Sequence, residues 1–182
     1  MRFCSIASGS SGNCIYVGSD NTHVLVDIGI SGKKMETGLN SLELTGRDLD
    51  GILITHEHSD HIKGLGVISR KYGIPIYATA GTVDAMVRTN ALGKIPEGIF
   101  HEIQEDEPFM INDLKVNPFT IPHDAAQPVG YRLEHEGHSV GIATDLGKYN
   151  DYIIENLQGL DALLLEANMI FVCCRWVNIH II

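Results

Sequence analysis

At 182 residues, the chain can bury roughly 70% of the surface its unfolded form would expose, so its domain needs no covalent staple. A hydrophobic share of 44% against a charged share of 20% excludes a disordered chain. The formal charge of -10, from 13 Lys+Arg and 23 Asp+Glu, excludes a broad basic footprint for nucleic acid or anionic membrane, so a phosphate-bearing substrate would need bound cations.

The opening "MRFCSIASGSSGN" lacks the apolar run of a secretory signal, and no stretch approaches the ~20 apolar residues of a membrane span. The expected location is the cytoplasm, with no membrane partner; oligomeric state is not legible. Cys4, Cys14, Cys173 and Cys174 form no CxxC pair, so reduced and mostly buried thiols are expected.

In chain order, "RFCSI", "NCIYVG" and "HVLVDIG" read as short strands separated by the turn-rich "ASGSSG" and "GSDN", an N-terminal meander. Met35, Leu39 and Leu42 recur at near-helical spacing and predict a helix between Ser31 and Leu44. "GILIT" is a continuous apolar run of the kind a strand covered on both faces shows. A helix from Ile62 to Tyr72, a strand at "IPIYAT" and a helix from Thr82 to Leu92 follow, an alternation that predicts an α/β sandwich. Beyond Gly93, "IFHEI", "EPFMI", "LKVNPFTI", "VGYRLEHEG" and "HSVGIATD" alternate with turn residues and predict hairpins. A helix over 149–157 and the strand "ALLLEA" close the readable part.

Residues 169–182, "MIFVCCRWVNIHII", break with this pattern: they hold the only Trp and two Cys but no Gly, Pro or acidic residue. The chain is therefore read as a domain over 1–168 and an atypical apolar tail over 169–182. A buried terminal strand is one reading of the tail. The preferred expectation is an ending foreign to the domain, from a shifted frame or a misplaced gene end.

The chemistry concentrates in "LITHEHSDHIKGL". In an extended segment, residues two apart point the same way, so His56 and His58 can converge on one cation as the strand ends. Asp60 and His61 can reach a second cation beside it. Imidazole with carboxylate suits Zn, Mn or Fe better than Ca or Mg, and the lack of thiolates argues for an open hydrolytic site over a structural one.

"THEHSDH" matches the HxHxDH signature of the metallo-β-lactamase-fold hydrolases, which implies their αββα four-layer sandwich, here incomplete at the C-terminus. On that resemblance, "FTIPHDAAQPVGYR" supplies His123 as third ligand of the first cation, and "GIATDLG" supplies Asp145 as the bridge between cations. "VLVDIG" supplies Asp27, which would support the ligands from behind. "SIASGSSGNC", "HDAAQPVGYRL" and "LLLEAN" further resemble the YycJ/WalJ type, proposed to be exonucleases acting on DNA. The family pattern then calls for a last histidine completing the second metal site. Only His180 stands past "EAN", and its setting "NIHII" does not resemble that motif.

The resemblance makes Ser11 and Asn13 neighbours of the site, although "GSSGN" also reads as a phosphate-cradling loop or a plain turn. Asp124 and Glu166 could orient ligands or sit solvated. His23, His101, His135 and His138 lack partners nearby in sequence. The expected function is a metal-dependent phosphodiesterase or exonuclease on DNA or RNA ends. It would use two divalent cations, zinc foremost with manganese or iron as alternatives, and Asp60 as the group that orients or deprotonates water. A thioester or lactone hydrolase, or an impaired member acting as a binding module, stay open as alternatives.

Overall fold

In the computed structural model the described residues are 1–167, 170–174 and 180–181, with side chains described through Glu166. Strands β1 (Arg2–Ala7), β2 (Cys14–Gly18) and β3 (His23–Val26) pair antiparallel in sequence, as the meander predicts. Helix α1 (Gly32–Ser41) starts where Ser31 Oγ accepts from Lys34 N, and it buries Met35 and Leu39. Strand β4 (Gly51–Leu53) then lies parallel to β3.

The helix expected over 62–72 is two pieces, α2 (Ser59–Ile62) and α3 (Leu65–Tyr72). The break falls at Gly64, whose N–H donates to Ile28 O at 2.8 Å and whose Cβ, if present, would lie 2.1 Å from Ile30 O. The chain bends there because it docks against the loop that follows β3.

β5 (Ile76–Thr79), α4 (Ala80–Arg88) and β6 (Phe100–Ile103) form a parallel crossover. "IFHEI" is therefore no hairpin strand, and the long helical connection before it is what parallel pairing requires. True hairpins follow in β7 (Phe109–Ile111), β8 (Leu114–Thr120), β9 (Val129–His135) and β10 (His138–Leu146). Glu136 and Gly137 turn the last of these with φ of 48° and 80°, the two positive values a tight hairpin turn needs. α5 (Asp151–Leu157), capped by Asn150, leads to β11 (Ala162–Ala167), parallel to β10. β12 (Ile170–Cys174) and β13 (His180–Ile181) complete the sheets.

The sheet orders are β13-β1-β2-β3-β4-β5-β6 and β12-β11-β10-β9-β8-β7. Period-two alternation assigns the faces: Val24 and Val26 pack with Val116, Val129 and Val140 between the sheets, whereas Leu25 points out with Met35, Leu39, Leu65 and Ile68. On the opposite outer face, Phe119 and Ala143 pack with Ile153 of α5. The result is the four-layer helix, sheet, sheet, helix sandwich. Its sheets touch at one end, where Tyr131 Oη donates to Ile54 O at 2.7 Å and Val129 N–H to Thr55 O at 3.0 Å. Among the described residues, no helix is long and apolar enough to cross a membrane.

Candidate metal centre

Three loops meet at that end of the sandwich. Asn13 N–H donates to Asp60 O at 2.8 Å, Gly29 N–H to Asn13 O at 2.7 Å, and Ile28 N–H to His61 O at 2.8 Å. Backbone, more than side chains, therefore fixes where the HEHSDH segment sits. Gly29 permits the close approach, since a Cβ there would lie 1.6 Å from Asp60 O. Gly29→Ala is expected to cost about 3 kcal/mol or more through forced overpacking, read as a lowered urea midpoint. An unchanged midpoint would show that these loops are not held as tightly as the hydrogen bonds imply.

Four of the predicted residues form the inner ring. His56 and His61 are fully buried, and His58 and His123 lie beside them with His56 ring centroids 4.6 and 4.7 Å away. His56, His58 and His123 each offer a nitrogen within 4.8 Å of the others; His56, His61 and Asp145 do the same with a carboxylate oxygen. The two triads share His56. Asp145 reaches the ring because β10 carries an extra residue against β11 between Ala143 and Leu146, and Asp145 itself has φ of 56°. Such bulges re-aim a side chain at the end of a strand.

A buried hydrogen-bond chain sets the protons. Thr55 donates its N–H and its Oγ1–H to Asp27 at 2.9 and 2.8 Å, and His61 Nδ1–H donates to Asp27 Oδ2 at 2.7 Å. With its proton spent on Asp27, Thr55 Oγ1 can only accept from His56 Nδ1–H, 3.0 Å away. That assignment leaves the His56 Nε2 lone pair facing the cluster. His56 stays neutral, its pKa lowered to about 2 by burial and then by the charges of His61, His123 and His58. Its Nε2 is a buried polar atom with no hydrogen bond.

For His61, burial works against protonation, but the Asp27 carboxylate and contact with Asp145 outweigh it and raise the pKa to about 10. Its Nε2 lies 2.9 Å from Asp145 Oδ2 and 3.1 Å from Asn13 Nδ2. His61 in turn holds the Asp145 carboxyl below the usual carboxylate range. His58 Nδ1 and His123 Nε2 face each other at 3.2 Å, which requires a proton or a cation between them. Lone pairs and a carboxylate converging on a partly buried centre fit a divalent cation, and the buried His56 Nε2 has no other hydrogen-bond partner.

The remaining predicted residues lie around this ring. Asp60 is one-third exposed, its Oδ2 3.7 Å from His61 Nε2, outside both triads. Asp124 is exposed and its Oδ1 is 3.2 Å from His123 Nδ1. Asn13 is buried and also accepts Gly9 N–H at 2.9 Å, so "GSSGN" works as a tie to His61, while Ser11 is exposed. Glu166 accepts from Ser8 Oγ. The side chain of His180 and the tail's other side chains lie outside the described residues.

Two residues escape sequence reasoning. Thr55 mediates between Asp27 and two histidines. Glu57 Oε1 accepts Ala126 N–H at 2.8 Å, tying the segment after His123 to the HEHSDH turn. Only their position inside the motif hinted at either.

A beta-lactamase superfamily domain is matched over residues 22–180, and the geometry just described is its metal-capable HxHxDH site. The chain belongs to the metallo-β-lactamase superfamily. Within it, the chain is 40% identical over 168 residues to the exodeoxyribonuclease YycJ of Bacillus anthracis, covering 92% of this chain and 63% of that protein. It is 39% identical to the exodeoxyribonuclease WalJ of Streptococcus pneumoniae serotype 2, covering 92% and 62%. It thus spans less than two-thirds of the length of these curated relatives. The Zn(2+)-bound PqqB of Methylobacterium extorquens shares the fold with a TM-score of 0.68 and 18% identity, over 85% of this chain and 59% of that one. The superfamily fold and the His/Asp cluster together support binding of divalent metal.

Proposed function

We propose that this metallo-β-lactamase chain is a metal-dependent phosphodiesterase that acts on nucleic-acid ends, DNA foremost, in the cytoplasm. The observation that carries the reading is the pair of triads meeting at His56, whose buried Nε2 has no other partner. His56, His58 and His123 would hold one divalent cation, and His61 and Asp145, with Asp60 alongside, a second. Zinc suits this donor set best, with manganese or iron as substitutes. Cations held there supply Lewis acidity that ionises water near neutral pH and neutralises charge developing on phosphorus oxygens.

The chain's own groups do the rest. Thr55 fixes the His56 tautomer and Asp27 the His61 ring. Asp60, partly exposed at the start of α2, would orient the attacking water and accept its proton. Its carboxylate has no other described hydrogen bond to give up. The relatives named exodeoxyribonuclease support the choice of substrate.

The test is hydrolysis of bis(p-nitrophenyl) phosphate and of end-labelled DNA by metal-loaded protein. Turnover that disappears with chelator and returns with zinc or manganese is expected. Hydrolysis of a thioester or lactone without any phosphodiester cleavage would overturn the reading.

A further inference from the structure

Four lysines of this acidic chain lie beside the segments that build the centre. Elsewhere on the surface, Lys71 pairs with Glu36, Arg88 with Asp84, and Lys115 and Arg132 with Glu134, while Arg47 and Lys94 make no ion pair among the described residues. By contrast, Lys63 comes two residues after His61, Lys148 three after Asp145, and Lys33 and Lys34 follow the loop that carries Asp27 and Gly29. All four are exposed, and none makes an ion pair among the described residues. A chain with a formal charge of -10 has carboxylates to spare, yet these four ammonium groups are left uncompensated beside the segments that build the centre.

Two of them line a cavity. A groove of about 680 Å³ runs between the end of β1 and α1, with Ile6, Ala7, Ile30, Ser31, Lys33 and Lys34 on its walls. Its floor is where Gly38 of α1 packs directly on Ile6, since a Cβ at Gly38 would meet Ile6 Cγ2 at 2.4 Å. Both lips lead to the centre. Ala7 runs into the loop whose Gly9 N–H is held by Asn13, the residue in contact with His61. Ile30 follows Gly29, which abuts Asp60 O, and its own carbonyl lies against Gly64.

We infer that this groove takes the phosphate backbone of a single nucleic-acid strand, held by Lys33 and Lys34, and leads it to the histidine cluster. The inference rests on the phosphodiesterase reading above and adds its substrate class: a polyanionic strand, not an isolated phosphodiester. A cationic groove that follows the backbone is one half of how proteins track single strands; here Ile6 and Ile30 stand where such grooves carry stacking aromatic side chains. A duplex presents its charge across a broad face, which the rest of this acidic surface repels, whereas one strand meets only the groove.

The test is binding of a fluorescein-labelled single-stranded phosphorothioate oligonucleotide, which resists cleavage, to the metal-loaded full chain by anisotropy across a KCl series. For single strands, log Kd against log salt has a slope of about 0.7 per phosphate contacted, so Lys33→Ala/Lys34→Ala should lower the slope by about 1.4. Its affinity at low salt should fall by at least tenfold. The charge-matched Lys94→Ala/Lys115→Ala pair, placed elsewhere on the surface, should lower the slope by less than half as much. Equal effects of the two double variants would overturn the groove and leave a diffuse charge effect. Hydrolysis of bis(p-nitrophenyl) phosphate by a wild-type chain that binds no oligonucleotide would overturn the groove while sparing the phosphodiesterase reading. A chain that does neither refutes both.

Discussion

Asp27→Ala is expected to cost about 3–5 kcal/mol of stability, because it strands a buried partner network, and to weaken divalent-metal affinity by about 10- to 100-fold. The carboxylate is fully buried and accepts three hydrogen bonds, two from Thr55 and one from His61. Alanine leaves those donors facing apolar atoms. It also places a Cβ-bearing residue without a polar side chain at φ of 61°, where Asp and Asn are better tolerated. Asp27→Asn separates the two effects. It keeps the backbone preference and one acceptor for Thr55, but turns an NH₂ towards donors. Stability should fall less than with alanine, while metal affinity falls nearly as far. Urea unfolding and competition against a chelating dye would read both; metal affinity unchanged in either variant would mean that Asp27 serves the fold alone.

His56→Ala should produce the opposite balance. Its Nε2 is the nitrogen that the Thr55 hydrogen bond leaves free, so the substitution removes one ligand of the cation held with His58 and His123. Loss of several kcal/mol of charge stabilisation corresponds to a fall in kcat/KM on a phosphodiester of about 10³-fold or more. Chelator-treated variant protein should nevertheless unfold closer to wild type than Asp27→Ala does. In the metal-free protein the His56 ring is neutral, crowded by three other imidazoles, and carries a single hydrogen bond to Thr55. Retention of phosphodiesterase activity within tenfold of wild type would remove His56 from the chemistry.

The contrast between these two residues shows where sequence reading reaches and where it stops. His56, His58 and His61 are legible because one short segment carries them at the end of an apolar strand, and a period of two in the backbone brings the first pair to one side; Asp60, read from the same segment as a ligand, lies outside both triads. The sandwich is legible for the same reason: Ile52, Leu53 and Ile54 of "GILIT" announce two covered faces. Asp145 is different. Its approach depends on a bulge against β11 and a left-handed backbone angle, features decided by pairing between strands and not by local residue type. Thr55 looks like an ordinary strand residue until the fold places Asp27 and His56 on either side of it. The misreadings have the same source. The helix over 62–72 breaks at Gly64 because of a contact with Ile30, and "IFHEI" pairs with β5 because a crossover carries it back to that sheet.

That His56, His58 and His123 hold one cation, and His61 with Asp145 a second, is open to direct measurement. Metal content per chain, measured by plasma mass spectrometry on monodisperse protein purified without chelator, tests it most directly. Close to two equivalents of a transition metal are expected for the wild-type chain, and His56→Ala should lose the cation held with His58 and His123, leaving about one or fewer. One equivalent or fewer in the wild type, or two that survive the substitution, would contradict it.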